Sequence, residues 1–147
     1  MAQILITGGA GYIGSHCAKA LALAGHDGVV FDNLLFGHRE FVRWGPLIEG
    51  DIRNVSALDA IFSAYRFDAV MHFAALAYVG ESVTAPGRYY DVNVNGTRTL
   101  LDAMVRAGVG FRQAARFMAS RIARQSPNIW FTIQLIRMAS ASSFANT

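Results

Sequence analysis

The chain has 147 residues, 53% of them hydrophobic, a formal net charge of +3 and a single cysteine, Cys17. That length supports one domain with a real core. No apolar run is long enough to span a bilayer, the start lacks the layout of a signal peptide, and one cysteine excludes an internal disulfide.

A cytoplasmic protein is expected, with no membrane partner, no nucleic-acid partner and no metal site. Cys17 reads as a small buried side chain of the first helix rather than a reactive thiol. The charge is unevenly spread. Residues 1–109 hold 8 Lys/Arg and 10 Asp/Glu, whereas residues 110–147 hold 5 Arg and no acid. The basic character therefore belongs to the tail, and the chain divides into a segment 1–109 and a divergent basic segment 110–147.

Ile4 to Thr7 reads as the first strand. It runs into Thr7-Gly8-Gly9-Ala10-Gly11-Tyr12-Ile13-Gly14, and a helix follows over His16 to Ala24, ended by Gly25. Strand, glycine turn and helix form the setting of a dinucleotide fingerprint. Gly8 makes the tight turn, Gly11 keeps a side chain away from a pyrophosphate, and Gly14 lets helix and strand pack closely. The helix N-terminus offers free N–H groups to the phosphates.

Val29-Val30-Phe31 reads as strand two, weakened by Gly28. Asp32 closes it, 18 residues after Gly14. A carboxylate at that spacing accepts hydrogen bonds from the adenosine ribose and repels a 2′-phosphate, which favours NAD over NADP. The alternative is a capping Asp in a turn. Leu34 to Pro46 reads as a loop or short helix.

Leu47-Ile48-Glu49 reads as strand three, with Asp51 at its end facing an adenine amino group. Asn54 or Ser56 caps a helix through Tyr65. Ala69 to Phe73 reads as strand four. The small residues Ala74 and Ala75 after it leave room for a ligand. Tyr89 to Ala107 reads as a long helix ended by Gly108. The alternation of strands and helices predicts an α/β fold, the N-terminal part of a Rossmann doubly wound parallel sheet, followed by an atypical tail.

Several motifs stand together in order: the glycine motif with Ser15-His16, Asp32-Asn33-Leu34, Gly37-His38-Arg39, Gly50-Asp51-Ile52-Arg53, His72-Phe73-Ala74-Ala75, Val79-Gly80-Glu81-Ser82-Val83, Tyr89-Tyr90-Asp91 and Asn93-Val94-Asn95-Gly96-Thr97. With this spacing, residues 1 to about 109 resemble the UDP-glucose 4-epimerase family, extended short-chain dehydrogenases/reductases with tightly bound NAD.

The resemblance implies that Gly8, Gly11, Tyr12, Ile13 and Gly14 hold the pyrophosphate and that Asp32 and Asn33 hold the adenosine ribose. Asp51 and Ile52 then flank adenine, and Phe73, Ala74 and Ala75 line the cofactor. Asn93 reaches it from the long helix, the alternative being a polar residue on a solvated face. A UDP-hexose substrate and a homodimer are implied as well.

The family's catalytic Tyr-x-x-x-Lys pair is absent. The one lysine is Lys19, in the first helix, so no catalytic residue is assigned. The genetic code suggests a reason. Read one base back, Phe117-Met118-Ala119 gives Tyr or His followed by Gly, and Arg137-Met138-Ala139 admits Tyr-Gly. The following residues, Ala139 to Ser142, admit Phe-Ser-Lys, which restores the pair. The expectation is an out-of-frame tail from about residue 110, with no matching strand for the open sheet edge unless Ile129 to Met138 adds by chance. A basic amphipathic segment and a genuine divergence of a binding-only domain are the other readings, as is another nucleotide-sugar epimerase or dehydratase.

Overall fold

Leu5, Val29, Phe31 and Val70 pack on one side of a sheet, and Ile4, Ile6, Val30, Ala69 and Met71 on the other. Alternate residues of one strand are thus buried on opposite faces, as parallel strands covered by helices require. The computed structural model describes residues 1–109. Its strands are β1 (Gln3–Thr7), β2 (Asp27–Asp32), β3 (Leu47–Glu49) and β4 (Ala69–His72). They pair in parallel in the order β3-β2-β1-β4.

Helix α1 (Tyr12–Leu23) covers one face through Cys17, Ala18 and Leu21. The opposite face is covered by α2 (Val55–Ala64), through Leu58 and Ile61, and by α5 (Thr97–Arg106), through Leu100 and Met104. Helices on both faces make the sheet doubly wound. Cys17 is buried and free, its Sγ 3.4 Å from Met71 Sδ, and burial pushes its thiol up to about 12. It packs and does not react.

The helix ends follow their sequence signals. Asn54 caps α2 by accepting the Ala57 N–H at 3.1 Å. Gly25 and Gly108 take φ of +78° and +70°. In each case two N–H groups turn back on the last carbonyls: Gly25 and His26 on Ala22 and Leu21, Gly108 and Val109 on Val105 and Met104. That is the left-handed stop that glycine favours.

Four expectations need correction. Helix α1 begins at Tyr12, not His16, because Gly11 stands in extended backbone and the helix opens directly after it. β2 runs from Asp27 to Asp32, and Gly28 pairs with Ile4 inside it. A Cβ at Gly28 would sit 2.9 Å from Ile6 Cδ1, and the chain at Gly45 crosses directly over the Gly28 carbonyl. The Ile6 side chain fills the space at Gly28, which therefore does not interrupt the strand. β4 stops at His72.

The long helix starts earlier than Tyr89. It opens as α4 (Pro86–Tyr90), with proline in its first turn where no N–H is missed, continues through a π-helical stretch (Asp91–Gly96) and passes into α5. A short helix α3 (Val79–Thr84) precedes it, and a 3₁₀ turn occupies Arg39–Phe41. The basic tail, its frame, its helical face and any strand over 129–138 lie outside the described residues.

His72 ties β1 to the long helix. Its Nδ1 lies 2.6 Å from Thr7 Oγ1 and its Nε2 3.1 Å from Thr97 Oγ1. The Thr97 hydroxyl donates to the Asn93 carbonyl. Its oxygen must then accept the Nε2–H, and with burial keeping the ring neutral, Nδ1 accepts from the Thr7 hydroxyl.

Burial pushes His72 down to about 4 from 6.5. The folded state therefore resists a proton that the unfolded chain takes up below pH 6.5. Stability from this group is full above pH 6.5 and is lost as the pH falls toward 4, by up to about 3 kcal/mol. Urea midpoints measured from pH 8 to 4 should be flat above pH 7 and fall through that window. His72→Gln should be less stable at pH 7 and should lose most of the slope between 6.5 and 4.

Candidate dinucleotide-binding groove

The three fingerprint glycines have different reasons. A Cβ on Gly8, at φ +72°, would lie 2.4 Å from Ala74 N, and one on Gly14 would lie 2.3 Å from Gly8 O. Both are demanded by the packing of β1, α1 and the chain after β4. A Cβ on Gly11 would meet only Gly8 O, at 3.3 Å. Gly11 faces a groove of about 330 Å³ at the carboxyl ends of the strands. Its missing side chain keeps that groove open.

Gly11 is the N-cap of α1 and supplies no side-chain cap. The N–H groups of the first helical turn, at Tyr12, Ile13 and Gly14, have no intrahelical acceptor. Tyr12 and Ile13 point their side chains outward, 74% and 53% exposed, so what they offer a ligand is backbone. Together with the helix dipole this donor set suits an anion.

Asp32 closes β2 and is 8% exposed. Its Oδ2 accepts the Ala10 N–H at 3.0 Å and its Oδ1 the Leu34 N–H at 2.8 Å. A carboxylate has about four acceptor positions, so two remain for hydroxyl groups on the groove side. Asn33 Oδ1 accepts the Leu35 N–H at 3.1 Å, and Asn33 Nδ2 donates to Asp51 Oδ2 at 3.0 Å. These turns drive Leu34 to φ 56°, a left-handed conformation leucine rarely adopts. Gly37 lets the loop lie on Ala10 and Asp32, where a Cβ would be 2.8 Å from Ala10 Cβ and Asp32 Oδ1. His38 N–H then donates to the Ala10 carbonyl at 2.9 Å.

At the far wall, Arg53 grips Asp51 through Nε–Oδ1 at 2.9 Å and Nη2–Oδ2 at 2.8 Å. Its Nη1 reaches Asp91 Oδ2 at 2.7 Å, at the start of the π stretch. The Arg53 guanidinium, aided by the Asn33 amide, holds the Asp51 carboxyl well below the usual carboxylate range. The two carboxylates raise Arg53 in turn. Ile52 is buried, pressed against Gly96, where a Cβ would be 2.7 Å from Ile52 Cδ1.

Of the residues expected at the site, Gly8, Gly11, Asp32, Asn33, Asp51, Ile52, Phe73, Ala74 and Ala75 line this single groove. Gly14 lies beneath it. Asn93 stands behind the wall: its Oδ1 accepts the Leu76 N–H at 2.8 Å and its Nδ2 donates to the Leu76 carbonyl at 2.9 Å. It is not a solvated polar residue; it clamps the chain after β4.

Leu35, Phe36, Gly37, Arg53, Arg88 and Val92 line the groove too. Motifs containing Gly37 and Arg53 were visible in the sequence, but their spacing gave no role. Arg88 is paired with Glu81. The Tyr89 hydroxyl shares its one proton between the Tyr78 carbonyl at 2.8 Å and Glu81 Oε2 at 2.9 Å, and burial followed by the Glu81 carboxylate raises its pKa. A phenol serving as a base needs the opposite shift. Lys19 stacks over the Trp44 ring, 5.9 Å from its centroid. Among the described residues no group of three His, Cys, Asp or Glu is placed to hold a metal, and no helix is long and apolar enough to cross a membrane.

Residues 4–120 match the NAD dependent epimerase/dehydratase family. The chain is 55% identical over 106 residues to the UDP-glucose 4-epimerase of Rhizobium leguminosarum bv. trifolii, covering 72% of this chain and 32% of that protein. It is similar to the crystal structure of UDP-glucose 4-epimerase from Brucella ovis in complex with NAD, at 50% identity and a TM-score of 0.72, over 74% of this chain and 34% of that one. The UDP-glucose 4-epimerase of Stenotrophomonas maltophila with bound NAD and formylated UDP-arabinopyranose gives 39% identity and a TM-score of 0.72, over 74% and 35%. The chain spans about a third of the length of these relatives. A parallel sheet with a glycine turn at its carboxyl edge, a carboxylate closing the second strand and these matches together place the chain in the NAD dependent epimerase/dehydratase family, among the UDP-glucose 4-epimerases.

Proposed function

We propose that residues 1–109 are the NAD-binding part of a UDP-glucose 4-epimerase and that the chain as written binds the dinucleotide without turning over substrate. The observation that carries the binding half is Gly11, where a Cβ would meet one atom, Gly8 O at 3.3 Å, and which lines the groove. The N–H groups opening α1 would take the pyrophosphate, Asp32 the ribose hydroxyls, and Asp51 beside Ile52 the adenine. Asp32 disfavours a 2′-phosphate, so NAD is chosen over NADP. Bound NAD would supply a hydride acceptor and donor for sugar C4. This chain's described residues bind and orient it and offer no base for the sugar hydroxyl.

The catalytic half of the proposal rests on sequence. No Tyr-x-x-x-Lys occurs in the chain, and its only lysine is Lys19. We assign residues 110–147 to an out-of-frame tail on the strength of the Tyr-Gly and Phe-Ser-Lys readings one base back. The substrate of the in-frame protein would be a UDP-hexose, its setting the cytoplasm and its assembly a homodimer, as the family resemblance implies. A binding-only domain whose end has genuinely diverged is the second reading.

Isothermal titration of the chain with NAD should show saturable binding. Gly11→Asp should abolish it, by placing a negative charge at the phosphate position. Its urea midpoint should fall only slightly, because the new Cβ presses on a single atom, Gly8 O at 3.3 Å. Unchanged NAD affinity in Gly11→Asp would remove the glycine turn from the phosphate site.

Turnover of UDP-galactose, read through a coupled UDP-glucose dehydrogenase, should be absent in the chain as written. It should return when the reading frame after codon 110 is restored. A repaired protein that binds NAD but stays inactive would favour the binding-only reading.

A further inference from the structure

β2 and β4 do not touch. β1 lies between them, so the loops that follow β2 and β4 flank the glycine turn that follows β1. Phe36 comes from the first of these loops and Tyr78 from the second. Their rings meet edge to face, with centroids 5.1 Å apart and planes at 69°. A contact between these two loops has to pass over the turn and the groove it opens, and Phe36 itself lines that groove.

Both rings remain partly in water, 46% and 58% exposed. The backbones that carry them are held firmly. Asp32 and Asn33 fix Leu34 and Leu35, with Leu34 in its left-handed conformation, and the Tyr78 carbonyl accepts the Tyr89 hydroxyl. Firm supports with exposed tips describe a contact built to part and reform.

We propose that Phe36 and Tyr78 form an aromatic strap across the groove that retains the bound dinucleotide. The strap rests on the dinucleotide reading of the groove. It adds no bond to the ligand. The ring contact must open before the ligand leaves, so its strength enters the release rate.

The test loads the full chain with NADH, chases with excess NAD and follows NADH release by fluorescence. Phe36→Ala and Tyr78→Ala should each speed release about 3- to 10-fold, the range an edge-to-face ring pair supports. The double variant should release no more than about twofold faster than either single one, because each change breaks the same contact. Tyr78→Phe keeps the ring and should keep the parental rate.

Far-UV circular dichroism checks the fold. If an alanine variant unfolds, Phe36→Leu or Tyr78→Leu takes its place, keeping bulk without the edge-to-face contact. Parental release rates in both single variants, or a double variant at the product of the two effects, would overturn the strap while NADH binding stands. A parent chain that fails to bind NADH overturns the dinucleotide reading, and the strap with it.

Discussion

The start of α1 and the end of β1 approach so closely that they leave no room for side chains. Gly14 sits against the Gly8 carbonyl, and Gly8 sits against the Ala74 backbone. One turn therefore joins three strands: Gly8 directly follows β1, its N–H donates to the Phe31 carbonyl of β2 at 2.9 Å, and its Cα rests on the chain leaving β4. Close packing transmits displacement because interiors have few voids to absorb it. The N–H groups that open α1 are thereby fixed relative to Asp32 at the end of β2 and to Ala74 at the end of β4.

Polar contacts carry that geometry outward. Ala10 in the turn donates to Asp32 and accepts from His38, so the loop after β2 is laid over the turn from both ends. Asp51 and Asp91 share Arg53, which ties the end of β3 to the π stretch of the long helix. Asn93 in that stretch holds Leu76, and Thr97 at its end holds His72. A π turn widens the helix by one residue and often accompanies a functional site. Here the Asp91–Gly96 stretch carries Asp91 toward β3 and Asn93 toward the chain after β4. The groove's far wall is thus a consequence of helix geometry.

Legibility in the sequence followed the range of the interactions. The helix stops at Gly25 and Gly108 and the Asn54 cap rest on contacts within a few residues, and the four strands show as short apolar runs, so a reader of the chain can find them. The groove residues were legible where a motif names an atom's task, as at Gly8, Gly11, Asp32 and Asp51. The rest depends on partners 17 to 65 residues away. Asn93 is spent on Leu76, His72 on Thr7, and Gly28 on Ile6. No periodicity announces such pairs. Gly28 looked like a defect for that reason: a glycine in a strand weakens it most when nothing fills the vacated space.

Recognition and chemistry call for opposite treatment of a titratable group, and the described residues give only the first. Anionic groups of a ligand are met by backbone N–H groups, and its hydroxyl and amino groups by carboxylates kept ionised, as Arg53 keeps Asp51. Proton removal from a sugar hydroxyl calls for a phenol pushed down by a neighbouring cation. Tyr89 has the reverse surroundings, burial and the Glu81 carboxylate, while the one ammonium of the chain lies over Trp44. His72 is held neutral between two threonine hydroxyls, with both ring nitrogens engaged. The strands at the start of the chain can therefore hold a dinucleotide with full geometry and still lack a base, because nothing that builds the groove requires one.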